Sequence, residues 1–317
     1  MRAVHPRRTA LLAATVIYVV GTASAVGQSP FPGIRPATPP ANESVTTVNL
    51  YDIDIPEGFL PGGEILALFL RGTWDQGGTM DIPAGAYAPG AEVDYIAAGS
   101  IKDQIDGSVF IARGEPGQPP GRLTRVKRGA TLTLHQGDVV LYQLDAAQHG
   151  STVGDTRATV LSFLIGSNDP PEDPQANQEL DNVVYEQLGG LDAGAWSSTA
   201  AGPLRISLER SLLAAGGRVP PYTVPEDTAE LLAIEAGVME VGLDFDGDGA
   251  PESWTPLQRH QPVNELLGLI RELRAGTEPL AEIPEELTGL GPKAGDALVY
   301  LTLRVGGGVA NPSTPET

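Results

Sequence analysis

The sequence predicts an all-β protein built from two antiparallel β-barrels. Short apolar runs are broken by turns rich in glycine, proline and aspartate, which is typical of sandwiches and barrels. A carboxylate, six residues and a glycine occur at Glu92–Gly99 and again at Glu230–Gly237. Each copy is followed by a Gly-Asp-x-x-x-Tyr hexamer, beginning at Gly137-Asp138 and at Gly295-Asp296. The repeated order of the two signals indicates a duplicated domain.

The N-terminal segment has the pattern of a secretory signal peptide. Arginines at positions 2, 7 and 8 precede an apolar run over residues 9–20, and Ala23-Ser24-Ala25 fits a small-x-small cleavage site. Because the run is short for a membrane-spanning helix, we expect cleavage after Ala25 and no stable membrane insertion afterwards. The paired arginines leave both the general and the twin-arginine export routes open. The predicted location is secreted or extracytoplasmic.

Composition limits the classes of function. The chain of 317 residues has a formal net charge of −20 and contains no cysteine. The negative charge repels nucleic-acid backbones and anionic lipid surfaces, so we expect neither as a partner. Without cysteine the chain forms no thiolate nucleophile, thiolate metal site or disulfide. A hydrophobic content of 41% is sufficient for a core that needs no disulfides.

The predicted domain order follows the proline-rich and apolar segments. Residues 1–25 are the signal peptide, 26–46 a flexible lead-in, 47–166 the first barrel, 167–182 a linker, 183–311 the second barrel and 312–317 a tail. Within the second barrel, Leu266, Leu269, Ile270 and Leu273 recur at intervals of three and four residues. This spacing predicts one inserted helix over about residues 262–275, either a cap on the barrel opening or a gate over a ligand pocket.

The paired signals resemble the two motifs of the cupin family, and their duplication resembles a bicupin. The resemblance covers residues 60–165 and 200–311. It implies two jelly-roll barrels, each a double-stranded β-helix. In the family, two histidines and the glutamate of the first motif and one histidine of the second motif hold a metal.

The family's histidines are missing from the second domain. The positions that correspond to them hold Tyr222 and Val224, or Thr223 and Pro225 if the spacing is counted strictly. The last histidine position falls near residue 306, in a run of glycines, so Glu230 alone remains. One carboxylate is too few for a transition metal, which takes about three or four protein ligands.

The first domain is similarly depleted. Upstream of Glu92 the candidate ligand is Tyr87, and His149 lies about one residue from the position of the family's last histidine. These three residues form the candidate first-domain site. The alternative is that Glu92 and its counterpart Glu230 are structural carboxylates, each bonded to a backbone N–H or to an arginine such as Arg71 or Arg210.

An acidic loop in the second domain is a candidate Ca²⁺ site. Asp244, Asp246 and Asp248 occupy positions 1, 3 and 5 of a calcium-loop pattern, and Glu252 is a further candidate ligand. Position 12 is Thr255, where an EF-hand has glutamate, so we do not predict an EF-hand. The alternative is a solvated turn at the tip of a hairpin.

Three functional hypotheses remain open. The leading one is a secreted, non-enzymatic binding or structural protein whose barrels have lost their metals and whose ligand is an unidentified small molecule or carbohydrate. The alternative is a metal-dependent cupin enzyme, such as an oxygenase, decarboxylase or isomerase, with an atypical site at Tyr87, Glu92 and His149. The third is a storage-like or surface-associated structural module stabilised by Ca²⁺. The sequence assigns no other cofactor and no oligomeric state.

Overall fold

The protein is all-β throughout the part that the structure describes, which confirms the predicted fold class. The computed structural model describes residues 45–56, 58–60, 65–167, 178–191, 204–219, 228–246, 248, 250–258, 270–276, 278–281 and 296–307. Within these ranges we find no helix that could span a membrane. The signal-peptide segment, nearly all of the lead-in and most of the linker lie outside the described residues, as does the tail.

The strands form two curled antiparallel sheets, here called the first and second half-barrels. The first contains β2 (Ile65–Ile82), β3 (Gly90–Ala98), β4 (Ser100–Ile105), β5 (Val109–Ala112), β6 (Thr124–Val126), β7 (Thr131–His135), β8 (Val139–Gln143), β9 (Gln148–Thr152), β10 (Ala158–Ser167) and β11 (Glu179–Leu191). The second contains β1 (Val45–Ile55), β12 (Leu204–Ala214), β13 (Arg218–Val219), β14 (Thr228–Leu243), β15 (Ser253–Gln258), β16 (Ile270–Ala275) and β17 (Asp296–Gly307).

The duplication is visible in the strand order. The first half-barrel runs β6-β5-β8-β3-β10-β2-β9-β4-β7 with β11 on β2, and the second runs β1-β12-β17-β14-β16-β13 with β15 on β14. The segment β3-β10-β2-β11 therefore corresponds to β14-β17-β12-β1. In both copies the repeated glutamate lies on the first strand of this segment. Its backbone is paired with a residue of the second strand, Glu92 with Leu164 and Glu230 with Arg304.

The two half-barrels exchange their outer strands. β1 precedes the first half-barrel in sequence but pairs with β12, whereas β11 precedes the second and pairs with β2. The sequence-based domains, 47–166 and 183–311, therefore differ from the sheets at these two strands. Most of β1 falls in the first predicted domain but belongs to the second sheet, and most of β11 falls in the second predicted domain but belongs to the first sheet. β11 begins at Glu179, inside the range predicted as linker.

The predicted helix is wrong over its last six residues, which form β16. Buried Leu273 and Ala275 alternate with partly exposed Glu272 and Arg274, which is the two-residue period of a strand. β16 pairs with both β14 and β13. Residues 259–269 of the predicted insertion lie outside the described residues.

Alternation along the strands produces three large hydrophobic cores and one small cluster around Leu212 and Val299 among the described residues. One lies between the half-barrels and combines Phe69, Tyr95 and Phe163 of the first with Leu208 and Leu301 of the second. A second is enclosed by the strands of the first half-barrel, and a third by those of the second. We call the enclosed cores the first and second inner cores, because the candidate site faces the first of them.

Candidate functional site

Three carboxyl side chains point into the first inner core. Glu92 and Asp94 lie two residues apart on β3, so they share the face that carries Ile96. Asp103 lies on β4 between the inward residues Ile101 and Ile105. The three acids are 7%, 4% and 1% exposed, although carboxylates are rarely buried without a partner.

Hydrogen bonds join two of these acids to neighbouring strands. The Ser162 hydroxyl donates to Asp94 Oδ1 at 2.5 Å, and Gln148 Nε2 donates to Asp103 Oδ2 at 3.0 Å. The Tyr142 hydroxyl lies 3.2 Å from Asp94 Oδ2 and 3.3 Å from Gln148 Oε1, within donating distance of both. We call the set Glu92, Asp94, Asp103, Tyr142, Gln148 and Ser162 the carboxyl cluster.

Burial keeps the carboxyl cluster protonated at higher pH than free carboxylic acids. Burial, followed by the negative charge of Asp94, holds the pKa of Glu92 well above its ordinary value. Burial raises the pKa of Asp94 to about 6, although hydrogen bonds from Ser162 and Tyr142 act in the opposite direction. Burial also raises the pKa of Asp103 to about 7, with Asp94 adding to the effect and Gln148 opposing it.

Some polar atoms at the first inner core remain without a partner among the described residues. They include Asp103 Oδ1 and Trp74 Nε1, each on a side chain that is 1% exposed. Gly72 and Gly150 make room for the indole, because a Cβ would lie 3.3 Å and 2.6 Å, respectively, from Trp74 atoms. The core therefore carries incompletely satisfied donors and acceptors, which is unusual for a purely structural interior.

The structure brings together only part of the predicted site of Tyr87, Glu92 and His149. Burial and then the nearby Glu92 carboxylate raise the pKa of Tyr87, so these two groups are neighbours. His149 instead faces outward, about half exposed, with Nδ1 2.9 Å from Asp81 Oδ1. Because side chains alternate along β9, Gln148 takes the inward position next to it.

In the second half-barrel the repeated carboxylate is bound to an arginine. Arg304 lies opposite Glu230 in the β14–β17 register, and its Nε donates to Glu230 Oε2 at 2.7 Å. Arg304 Nη1 also donates to Glu209 Oε2 at 2.6 Å. Burial alone would lower the pKa of Arg304, but the charges and hydrogen bonds of Glu230 and Glu209 have the larger effect. The pKa is therefore raised overall, and the guanidinium stays charged. Among the described residues, Glu230 therefore faces a cation rather than other metal ligands.

The two arginines named from sequence as partners for the repeated glutamates bind a different acid. Arg210 donates to both carboxylate oxygens of Glu235, at 2.5 and 2.8 Å, and Arg71 Nη2 lies 3.4 Å from Glu235 Oε1. Arg71 belongs to the first half-barrel, whereas Arg210 and Glu235 belong to the second. This buried ion cluster therefore joins the two half-barrels. Glu186 of β11 lies 3.7 Å from Arg71.

The repeated glycines have the same backbone role in both copies. Gly99 and Gly237 have φ of 71° and 88°, and an added Cβ would lie 2.2 and 2.0 Å from a carbonyl oxygen. Gly137 also has a positive φ, of 95°. Asp138 beside it accepts hydrogen bonds from the backbone N–H of His135 and pairs with Arg113. Gly295 lies outside the described residues, and Asp296 begins β17.

The acidic loop brings its four carboxylates together. One oxygen from each of Asp244, Asp246, Asp248 and Glu252 lies within 4.8 Å of the others. A search of the described residues for three or more convergent His, Cys, Asp or Glu side chains gives this group. Asp244 is buried and the other three are exposed, and Glu252 Oε2 accepts a hydrogen bond from the backbone N–H of Phe245 at 2.7 Å. The donor set is all oxygen, as Ca²⁺ requires.

The donors of the two half-barrels do not fit a transition metal. Glu230 is bound to Arg304, and Glu92 is paired with Asp94 in a protonated environment. The imidazole nearest in sequence to the expected position, His149, faces away from the first inner core. Among the described residues, neither Glu92 nor Glu230 therefore belongs to a set of three or more convergent ligands such as a transition metal takes.

Sequence reasoning missed most of the carboxyl cluster. Asp94 and Asp103 each occupy a position on a strand where alternation calls for an apolar side chain. That violation was the available signal, because a charged residue on the buried face of a strand needs a partner. Gln148 and Ser162 carry no such signal in the sequence. Their place in the cluster can be recognised only when β8, β9 and β10 lie beside β3 and β4.

Comparisons with known proteins found matches among solved structures alone, all of low identity. No protein-family model matches the chain, and no curated protein sequence matches it. A pumpkin seed globulin structure is 12% identical with a TM-score of 0.39, covering 75% of this chain and 76% of that one. YhaK from Escherichia coli is 10% identical with a TM-score of 0.33, covering 83% and 93%. A putative glyoxylate-induced protein from Pseudomonas aeruginosa is 8% identical with a TM-score of 0.34, covering 92% and 98%.

Proposed function

We propose that this cupin-fold protein is a secreted, non-enzymatic binding or structural module without a transition-metal centre. The observation that carries the proposal is the pairing of Glu230 with Arg304 at 2.7 Å in the second half-barrel. A metal and a guanidinium compete for the same carboxylate, and the arginine is already in place. Export would separate the protein from its signal peptide, so the mature chain should begin at Val26.

The first half-barrel supports the same proposal by a different route. Metal ligands must be deprotonated to bind, and burial favours the protonated forms of Glu92 and Asp94. Both oxygens of Asp94 also face donor groups, from Ser162 and Tyr142. The cluster is therefore organised as a network of protein hydrogen bonds rather than as an open coordination sphere.

An enzyme in the first half-barrel is the second candidate, and one observation favours it. Asp94 and Asp103 have pKa values raised to about 6 and about 7, the range in which a general acid or base operates near neutral pH. Such an enzyme would use the carboxyl cluster itself. Asp94→Asn and Asp103→Asn variants would then lose activity while keeping their fold.

Elemental analysis of the purified mature protein separates the metal-free module from a metal enzyme. The protein should be produced in medium that supplies iron, manganese, nickel, copper and zinc. We expect each metal at well below one atom per chain. A stoichiometric metal that disappears in Glu92→Gln or Glu230→Gln would overturn the proposal. His149→Ala is the matched control, because its side chain lies outside the first inner core.

We also propose that the acidic loop holds Ca²⁺, which would stabilise the second half-barrel. The convergence of four carboxylates supports this proposal, since they repel one another without a cation. At a Ca²⁺ concentration about 100-fold above its Kd, binding would add about 2.7 kcal/mol to the free energy of unfolding. Asp246→Ala should abolish the gain, and an equal gain in that variant would contradict it.

A further inference from the structure

A polar groove lies at one end of the first half-barrel. Its volume is about 1190 Å³, and it is lined by the loops β2–β3, β4–β5, β6–β7 and β8–β9. The lining includes Asp106, Ser108, Gln143 and Asp145, with no aromatic side chain among the lining residues. The groove is distinct from the acidic loop, which belongs to the second half-barrel.

Backbone hydrogen bonds hold the groove loops together. Gly85 N–H donates to Asp145 O at 2.9 Å, which ties the β2–β3 loop to the β8–β9 loop. Asp106 N–H donates to Ala147 O at 2.8 Å, and Gly129 N–H to Ile105 O at 3.2 Å. The walls are therefore preformed, and a ligand would meet a groove that needs little ordering on binding.

The groove gathers positive charge in a chain that is otherwise strongly acidic. Arg125, Lys127 and Arg128 line it, although the whole sequence has only 20 basic residues against 40 acidic ones. Arg125 lies on β6, Lys127 directly follows the end of that strand, and both residues are exposed. Neither makes an ion pair with another of the described residues.

The two acids of the groove are fewer than its three cations, so the lining keeps an excess of positive charge. Asp106 is engaged by Arg128, whose Nε lies 2.8 Å from Asp106 Oδ1 in an exposed ion pair. Exposed pairs of this kind contribute little, so Arg128 can turn to an incoming anion at small cost. Asp145 is the other acid in the lining, and it lowers but does not cancel the charge of the three cations.

The charge of the rest of the molecule limits the size of the anion. At physiological ionic strength charges are screened beyond about 8 Å, so a small anion inside the groove responds mainly to the local cations. An extended polyanion reaches out over a surface with a net charge of −20 and is repelled. The groove therefore favours a compact ligand over a polymer.

We propose that this groove binds a small organic anion that carries two or more carboxylate or phosphate groups. Arginine can hold such groups with two parallel hydrogen bonds, and lysine acts as a point charge beside it. The proposal goes beyond the function proposed above and is independent of it. Failure to bind an anion leaves the metal-free module standing, and discovery of a metal leaves the groove proposal standing.

Calorimetric titration of the full mature chain with citrate and with pyrophosphate tests the proposal. We expect one-to-one binding of at least one probe, weakened about tenfold or more in the Arg125→Gln/Lys127→Gln double variant. The matched control is Lys102→Gln/Arg157→Gln, which removes the same charge outside the groove lining. It should bind as the unaltered protein does, and circular dichroism should show that both variants are folded.

Three results would overturn the proposal. The first is no binding of either probe at about 10 mM and low salt, where electrostatic binding is strongest. The second is equal weakening in the groove variant and the control variant, which would indicate a response to net charge alone. The third is tighter binding of a long polyanion such as heparin than of either small probe, which would assign the surface to a polymer.

Discussion

Replacing Asp103 by asparagine should change how the stability of the protein depends on pH. The folded state holds a proton on Asp103 up to a pKa of about 7, whereas the unfolded chain releases it near the ordinary value of 3.8. The folded state thus binds the extra proton between these two pH values. Its contribution to stability is complete below about pH 4 and is lost as the pH rises through 7.

The size of the effect follows from the two pKa values. Each pH unit between them costs up to about 1.36 kcal/mol in the free energy of unfolding. From pH 5 to pH 8, Asp103 alone should therefore remove about 2 to 3 kcal/mol, because the loss levels off above pH 7. Asparagine cannot titrate, and its side-chain oxygen can still accept the hydrogen bond from Gln148.

Urea unfolding at pH 5, 6, 7 and 8 measures this contribution. The stability of Asp103→Asn relative to the unaltered protein should rise by about 2 to 3 kcal/mol across the series. Asp181→Asn removes the same charge from an exposed position on β11 and should show no comparable trend. A constant difference between Asp103→Asn and the unaltered protein, or the same trend in the control, would refute the assignment of a buried protonated carboxyl.

Two further substitutions test the packing that holds the site in place. Glu235→Gln should lower the free energy of unfolding by about 3 to 5 kcal/mol, because it leaves the Arg71 and Arg210 guanidiniums buried without their shared carboxylate. Urea unfolding measures the loss, and a value below about 1 kcal/mol would contradict this reasoning. Gly237→Ala should be far more destabilising than Gly154→Ala. Both glycines have positive φ, but only at Gly237 would the added Cβ collide with a backbone carbonyl oxygen. Equal unfolding midpoints for the two variants would contradict this close approach of the backbone at Gly237.

The sequence could predict features that depend on short-range backbone geometry. Gly99 and Gly237 each have a positive φ and lie against a backbone carbonyl oxygen, so only glycine fits at either position. The same residue therefore appears in both copies and can be seen in the sequence. The all-β class was similarly readable from alternation and turns. The spacing of Ile270 and Leu273 was misleading, because a separation of three residues is typical of one helix face, whereas β16 buries Leu273 and Ala275, which are two residues apart.

Features that depend on strand register could not be predicted. Arg304 is 74 positions from Glu230, and only the pairing of β14 with β17 places them opposite one another. Whether Gln148 or His149 faces inward depends on a single-residue register in β9, which sequence spacing leaves undecided. The exchange of β1 and β11 between the half-barrels is likewise a pairing of distant segments.

The central claim is that neither repeated glutamate serves as a transition-metal ligand. Calorimetric titration of the chelator-treated protein with Mn²⁺, Fe²⁺, Ni²⁺ and Zn²⁺ tests it most directly, in an Asp246→Ala background that disables the acidic loop. We predict no binding that depends on Glu92 or Glu230, because the first lies in a protonated network and the second is bound to Arg304. One-to-one binding that is lost in Glu92→Gln or in Glu230→Gln would contradict the account.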